Sequence, residues 1–469
     1  MKKVIIIGGG ISGLATAWLL REKALQAGLE LDLALLEKEE QPGGKIRTIR
    51  EQGYLCEWGP NGFLDSKPQT LDLCEAIGVS GNLQRSNDNA RKRFIYSEGE
   101  LHRLPENGPS FLKSRLISWP GKLRLALEPT PFIARAPEGV DETLADFGRR
   151  RLGSEALDKL IAPMVSGIFA GDPETMSLIS CFPRIAELER EYGGLIRAMI
   201  MLAKKKKREQ AAGKAVSSAA GPGGVLTSFR EGIQYLTDAL TTSLGEVVKP
   251  GKEVKYLNSS ESVPWRVGCV DKTEYDADSV ILASPAYAAA DMLSGCDDAL
   301  SALLRQIPYA SMTVVCFGYE RELISHPLDG FGYLIPKKEG RSILGTLWDS
   351  SMFESRAPAG KVLLRNMMGG ACFPDYVKFS DDEVVKRVRR DLKDVMGIAC
   401  EPSFIRIFRH PQAIPQYTAG HAEKLKALAE RLARHPGLIL TGNSYRGIGL
   451  NDCVAAAQRA SSEALAIMR

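Results

Sequence analysis

Three glycines spaced for phosphate binding stand near the start of the chain. In "KKVIIIGGGISGLATAWLL", Gly8, Gly10 and Gly13 follow residues 4–7, an apolar run that reads as a strand buried on both faces. Gly8 permits a tight turn, Gly10 lets the backbone approach a pyrophosphate, and Gly13 lets the next helix pack closely on the strand. The helix start, with Gly9, Ile11 and Ser12, offers free N–H groups and the positive end of its dipole to the phosphates. A second apolar strand over residues 31–36 runs into Glu37 and Lys38, and Glu37 is placed to accept hydrogen bonds from a ribose. Strand, turn, helix, strand and acid together make a dinucleotide site.

Further glycine turns select among dinucleotides. "KEEQPGGKIRT" sets Gly43 and Gly44 before Lys45 and Arg47, cations suited to a second phosphate. "EWGPNGFLDS" supplies another close-approach loop with Gly59, Pro60, Asn61 and Gly62. "LTGNSYRGIGLNDC" contributes Gly442, Gly449, Leu450 and Asn451, and opens a helix that can point its N-terminus at an isoalloxazine and stabilise charge on the reduced ring. A nicotinamide is usually held by one continuous unit. A grip from both ends of the chain fits the longer FAD. The five histidines, at 102, 326, 410, 421 and 435, form no H-x-x-x-H or E-x-x-H pair, so no metal is expected.

These turns need a scaffold. At 469 residues two or three domains are expected. Lys+Arg 61 against Asp+Glu 57 gives a net charge of +4, so nucleic acid is not an expected partner and anionic ligands must be met by local charge. Nine scattered cysteines with no C-x-x-C pair suggest reduced thiols in a cytoplasmic setting. No targeting segment is expected, and no apolar run reaches the ~20 residues of a membrane span. "NARKRFIYSEGELHRLP" alternates like a hairpin around Glu98 and Gly99, and a mostly helical stretch follows. Within it, "FLKSRLISWPGKLRLAL" mixes apolar residues with Lys113, Arg115, Lys122 and Arg124. It reads either as a face for peripheral contact with the cytoplasmic side of the membrane or as the solvated side of a helical subdomain. The segment 204–224, "KKKKREQAAGKAVSSAAGPGG", reads as a loop between domains. The last apolar strand, turn and helix repeat the opening pattern. The expected fold is therefore α/β: a discontinuous Rossmann-like FAD-binding domain (1–85, 222–290 and 408–469), an α+β substrate domain (86–105 and 291–407) and a helical subdomain (106–221).

At this point the motifs carry a resemblance. The chain resembles the flavin-containing amine oxidase and phytoene desaturase superfamily, and within it the oxygen-dependent protoporphyrinogen oxidase family. The resemblance runs from Lys3 almost to the end, through "GGGISGLA", "GGKIRT", "EWGPNGFL", "VSGIFAGDPETMSLISCFPRI", "GFGYLIP", "LGTLWDSSMFESRAP", "MMGGA", "IPQY" and "LTGNSYRGIGLNDC". It implies six-electron oxidation of protoporphyrinogen IX to protoporphyrin IX in three two-electron steps. FAD is the hydride acceptor, oxygen the final acceptor, and no side-chain acid or base is required. It implies a propionate on Arg93, a pyrrole N–H on the Gly167 carbonyl, and a macrocycle wall of Phe331, Leu334, Leu347 and Met367. It adds Val254 and His410 to the cofactor residues. His410 stands where the family often has tryptophan. It also implies handover of product to the next haem- or chlorophyll-pathway enzyme. Coproporphyrinogen III oxidation, a flavin amine oxidase activity, and a non-enzymatic nucleotide dissociation inhibitor on the same fold are the alternatives.

Overall fold

The computed structural model describes residues 1–130, 133, 139–211, 224–259 and 264–468. Its first layer is a five-stranded parallel sheet in the order Val248–Lys249, Leu31–Leu36, Lys2–Ile7, Ser279–Leu282, Leu438–Leu440. Successive side chains of a strand face opposite ways. Val4 and Ile6 accordingly pack among residues of the helices Ile11–Gln26 and Leu450–Met468, while Ile5 and Ile7 pack under Trp265, Val267 and Ala286 on the other side. Both faces are covered, which is why the strand is an unbroken apolar run. The sheet gathers segments from both ends of the chain and its middle, as the discontinuous reading requires.

The second layer is a seven-stranded sheet in the order Phe404–Pro415, Tyr309–Glu320, Lys361–Gly369, Ile343–Leu347, Gly332–Leu334, Arg93–Ser97, Glu100–Arg103. All neighbours are antiparallel except Gly332–Leu334 with Arg93–Ser97. The last two strands close the expected hairpin, with Glu98 at φ 55 and Gly99 at φ 85. Helix Asp381–Met396 covers one face through Val384, Val388 and Leu392. Strand Phe404–Pro415 runs across the expected join at 407/408. Short helices between Gly108–Lys113 and Leu195–Ala211 form the helical region.

Two expectations change here. Lys204 to Arg208 do not begin a loop: helix Leu195–Ala211 carries them, since Lys, Arg, Glu, Gln and Ala are all strong helix formers. The rest of that segment, 212–223, lies outside the described residues. Of the four cations assigned to a solvated face, Lys122 is buried. Its Nζ donates to the carbonyls of Leu112 (2.9 Å) and Ser114 (2.7 Å), fastening one short helix to the next. Arg124 donates to the carbonyls of Arg150 (2.6 Å) and Arg151 (3.1 Å). Both cations satisfy helix-end carbonyls rather than facing solvent.

Candidate functional site

The opening turn has the geometry its spacing predicts. Gly8 is at φ +107, a conformation that favours glycine. A Cβ on Gly13 would overlap the Gly8 carbonyl oxygen, so only glycine brings the helix this close. A Cβ on Gly10 would meet nothing within 4 Å, and this open side of the helix N-terminus is where a pyrophosphate fits. The cradle continues across the chain. The Gly43 N–H donates to the Gly9 carbonyl (2.8 Å), and a Cβ on Gly44 would come within 3.2 Å of the Gly10 Cα. Gly442, at φ +111, adjoins Ser12 from the C-terminal side: a Cβ on it would lie 3.7 Å from Ser12 Oγ. Asn451 accepts from the Thr70 N–H (3.2 Å) and donates to the Leu64 carbonyl (2.9 Å), tying the start of the last helix to the strand after Gly62.

Glu37 is buried at the end of its strand. One carboxylate oxygen accepts from the Gly9 N–H (2.6 Å) and the other from the Glu39 N–H (2.9 Å). A carboxylate has about four acceptor positions, so lone pairs remain for a ribose. Lys252 N–H bonds the Glu37 carbonyl (2.8 Å), which brings the approach to Val254 to the same end. Lys38 is exposed beside Glu39. The residues present thus fit an extended dinucleotide: a phosphate-sized opening at Gly10, a buried acid, and close-approach glycines on facing loops.

Lys45 is half-buried, and its Nζ donates to the carbonyls of Gln412 (2.7 Å) and Ala413 (2.5 Å). Burial brings its pKa down to about 8. In the apoprotein the charged form is the penalised one. Apoprotein stability is therefore lowest below pH 8 and rises between pH 8 and the ordinary lysine value. A phosphate favours the charged form, so FAD binding takes up a proton above pH 8. Titrating apoprotein with FAD from pH 7 to 9.5 is expected to show affinity falling as pH rises through 8, and Lys45→Met is expected to flatten that fall.

The loop of Gly59, Pro60, Asn61 and Gly62 is held on all sides. Cβ atoms on Gly59 and Gly62 would press on the carbonyls of Lys45 and Thr227. His410 bonds the Trp58 carbonyl (2.9 Å) through Nε2, and its ring lies 5.3 Å from the Trp58 ring. Burial lowers the His410 pKa, so the ring is neutral at pH 7. Glu57, Arg356, Asp349 and Arg365 lie beneath this loop, all buried and none anticipated from the motifs. Their signal was available: an acid inside "YLCEWG" and an arginine inside "KVLLRNMM" are charges in apolar runs, and such charges need partners.

Four of the six substrate candidates, Arg93, Leu334, Leu347 and Met367, lie on one face of the large sheet. Directly opposed residues on neighbouring strands project to the same side. Register places Arg93, Gly332, Leu347 and Arg365 in one row, and Leu334, Gly345 and Met367 in the next. Leu334, Leu347 and Met367 are half-buried while the residues around them in their strands are almost all buried, so they form a lined wall rather than ordinary core. Phe331 packs beside Leu347. Helix Ala162–Phe169 approaches this wall: a Cβ on Gly167 would come within 2.8 Å of Leu334. In the last turn of that helix the Ser166 carbonyl accepts from Ala170 N–H (2.9 Å) and that of Phe169 from Gln416 Nε2 (2.8 Å). The exposed Gly167 carbonyl has no such partner among the described residues. Of the basic run, Arg91 pairs with Asp88 and Lys92 with Asp329. Arg93 has no acidic partner among the described residues, and its guanidinium lies 5.3 Å from the Phe331 ring centre. A cation without an acidic partner among the described residues thus stands at the edge of an apolar wall, and Gly167 packs against Leu334 of the same wall.

Comparison with known proteins follows the same lines. The family described as flavin containing amine oxidoreductase matches residues 11–465. "Coproporphyrinogen III oxidase" of Bacillus subtilis (strain 168) is 33% identical, over 99% of this chain and 98% of its own. "Protoporphyrinogen oxidase, chloroplastic" of Oryza sativa subsp. japonica is 34% identical, over 98% of this chain and 87% of its own. A crystal structure from Exiguobacterium sp. 255-15, described as "Putative protoporphyrinogen oxidase", superposes with TM-score 0.83 at 28% identity, covering 98% of both chains.

Proposed function

The chain belongs to the flavin-containing amine oxidoreductase family and is an FAD-dependent oxidoreductase; from that premise we propose that it oxidises protoporphyrinogen IX to protoporphyrin IX with oxygen as final acceptor. The observation that carries the substrate is the unpaired Arg93 at the rim of the half-exposed wall of Phe331, Leu334, Leu347 and Met367, with Gly167 packed against Leu334 of that wall. FAD, when bound, would supply the hydride-accepting chemistry and the redox link to oxygen. The chain's own residues do the rest. The wall takes the macrocycle body, Gly167 orients a pyrrole N–H, and Arg93 pairs a propionate, so a bridge carbon is held against the cofactor in near-attack geometry with water excluded. Gly8 to Gly13, Glu37, Gly44, Lys45, Gly59 to Gly62, Val254, His410, Gly442 and Gly449 to Asn451 make the proposed FAD cradle.

Coproporphyrinogen III is the second reading, favoured by the end-to-end match with the Bacillus subtilis relative. That substrate carries four carboxylates, and Arg93, an arginine at the wall with no acidic partner among the described residues, suits the two of protoporphyrinogen better. Initial rates on both porphyrinogens, with peroxide measured, decide between them. A faster rate on coproporphyrinogen would replace the first choice.

Arg93→Ala removes a charge-assisted pair worth about 1.5–3 kcal/mol, with the lower figure expected at this exposed rim. The ring remains anchored, so KM is expected to rise about tenfold with kcat little changed, the signature of lost uniform binding. An unchanged KM would remove the carboxylate role.

We also propose a cytoplasmic location, peripheral contact with the membrane, and handover of product to the next enzyme from that position. No helix among the described residues is long and apolar enough to cross a membrane. Leu112, Trp119, Leu123 and Leu127 are nevertheless exposed on the short helices, beside Lys113 and Arg115. Trp119, Leu123 and Leu127 recur every four residues and so share one stripe. Co-sedimentation with anionic vesicles at low salt is expected, and Trp119→Ser;Leu123→Ser is expected to abolish it.

A further inference from the structure

The buried charges beneath the Gly59 to Gly62 loop lie in an arrangement that the substrate wall and the cofactor cradle share. Arg365 is 3% exposed and Asp349 0%. Arg365 Nε is 3.1 Å from Asp349 Oδ2, and its Nη1 donates to the Gly59 carbonyl at 2.9 Å. Asp349 Oδ1 accepts from the Asn61 side-chain amide at 3.3 Å. One ion pair therefore grips the loop at two points, once by backbone and once by side chain. Asp349 follows the wall residue Leu347 by two positions, and Arg365 precedes the wall residue Met367 by two. Arg365 also stands in the row that begins at Arg93 and passes through Gly332 and Leu347, next to Cys316 of the following strand.

Stability alone does not account for such a pair. A buried ion pair is commonly no more stabilising than apolar residues of similar volume, so its placement needs another reason. The pair also leaves the Asn61 Oδ1 atom, aimed away from Asp349, without a partner in the buried loop.

We infer that Asp349 and Arg365 are positioning residues: a clamp that fixes the Gly59 to Asn61 stretch relative to the macrocycle wall, and so sets the distance between the substrate's bridge carbon and the flavin. The inference rests on the proposed function for what lies on either side of the clamp. The row beginning at Arg93 gives it a direction. A macrocycle anchored by its carboxylate at Arg93 lies along the same row as the buried residue that holds the loop beside the cofactor. Lysine at 365 can keep the pair with Asp349 but cannot also reach the Gly59 carbonyl, because it lacks the planar fork of donors.

The test uses the holoenzyme in three forms besides wild type: Arg365→Lys, Asp349→Asn, and the charge-free Asp349→Leu;Arg365→Met. Two readouts are taken. One is backbone hydrogen exchange in a peptide spanning residues 58–62, which needs no turnover. The other is the rate of flavin bleaching by anaerobically added protoporphyrinogen or coproporphyrinogen. Arg365→Lys is expected to retain flavin, to exchange about tenfold faster in this peptide alone, and to bleach about 100-fold more slowly with KM within about threefold, as a small misplacement of reacting groups does. Asp349→Asn is expected to move both readouts the same way, and serves if the lysine variant does not fold. The charge-free pair is expected to recover melting temperature but not bleaching rate. Wild-type exchange and bleaching in Arg365→Lys would overturn the clamp. So would full recovery of the bleaching rate in the charge-free pair, which would make the role one of stability. If wild type is bleached by neither porphyrinogen, the proposed substrate is wrong, and the exchange readout still decides whether the pair holds the loop.

Discussion

Replacing Gly10 by alanine is expected to yield a protein that folds and melts like wild type but carries no FAD. The added methyl meets no protein atom within 4 Å, so nothing in the apoprotein resists it. It occupies the space assigned to the pyrophosphate and keeps the helix N–H groups from reaching it. Losing two charge-assisted bonds at about 1.5–3 kcal/mol each lowers FAD affinity by about 100-fold or more. Gly13→Ala is the contrasting case. Its methyl overlaps the Gly8 carbonyl oxygen and comes within 3.3 Å of Ala283 Cβ. Backbone cannot rotate out of the way as a side chain would, so the helix Ile11–Gln26 must back off the sheet. Overpacking of this kind costs about 1–3 kcal/mol, and the upper end is expected here. Gly13→Ala therefore loses both flavin and stability. The flavin-to-protein ratio after denaturation, together with a melting curve for each variant, separates the two effects. A Gly10→Ala enzyme with a full complement of flavin would show that the phosphates lie elsewhere.

Arg356→Met is expected to be strongly destabilising. Arg356 and Glu57 are both 0% exposed, with 3.4 Å between them. Arg356 also donates to Ser228 Oγ (3.1 Å), and Glu57 accepts from the Ile233 N–H (3.0 Å) and from Thr48 Oγ1 (2.7 Å). Removing the guanidinium strands a buried carboxylate, at a cost of about 3–5 kcal/mol. Burial already raises the Glu57 pKa against the pull of Arg356. Without Arg356 it rises further, and a group with a raised folded pKa loses its contribution as pH climbs through that value. The variant's deficit should therefore be smaller at pH 5 than at pH 8. Glu57→Gln;Arg356→Met should recover more than half of the loss. Urea unfolding at the two pH values measures both. A single variant as stable as wild type at pH 8 would mean that the Glu57 charge is compensated by something other than Arg356.

What could be read ahead and what could not divides along sequence distance. Gly8, Gly10, Gly13 and Glu37 declare themselves because a phosphate turn is local, and the strands on either side have a recognisable period. The Arg93 hairpin is legible for the same reason, through Glu98 and Gly99. Glu57 and Arg356 stand 299 residues apart in the chain, and Asp349 and Asn61 are 288 apart. Nothing local marks them as partners, only the incongruity of a charge in an apolar strand. Lys122 misleads for a related reason. A lysine among leucines on a short helix looks like a solvated stripe, yet its long stem lets the ammonium fold back onto carbonyls at the helix ends. The Lys204–Arg208 stretch misleads because the small-residue tail after it reads as loop, while the charged residues themselves are good helix formers. The proposed substrate wall is intermediate. Motifs name its members, but only pairing register shows that Arg93, Leu347 and Arg365 stand in one row.

The interleaved parallel sheet has a consequence for how the protein is made. Strand Lys2–Ile7 leaves the ribosome first, but its neighbour Ser279–Leu282 follows only after more than half the chain, and Leu438–Leu440 and the helix Leu450–Met468 come last. Until then one face of the first helix has no cover, because Leu14, Ala17 and Trp18 share their apolar cluster with Val454, Ala457 and Ala464. Parallel pairing across such separations carries the loop-closure cost before the contacts that offset it can form, so this layer matures slowly and late. Gly442 reaches Ser12 only at that stage. On the proposed cradle, a chain that stops before the final turn is expected to hold flavin poorly, so cofactor capture is expected to come only after that turn has formed, and not on a fragment.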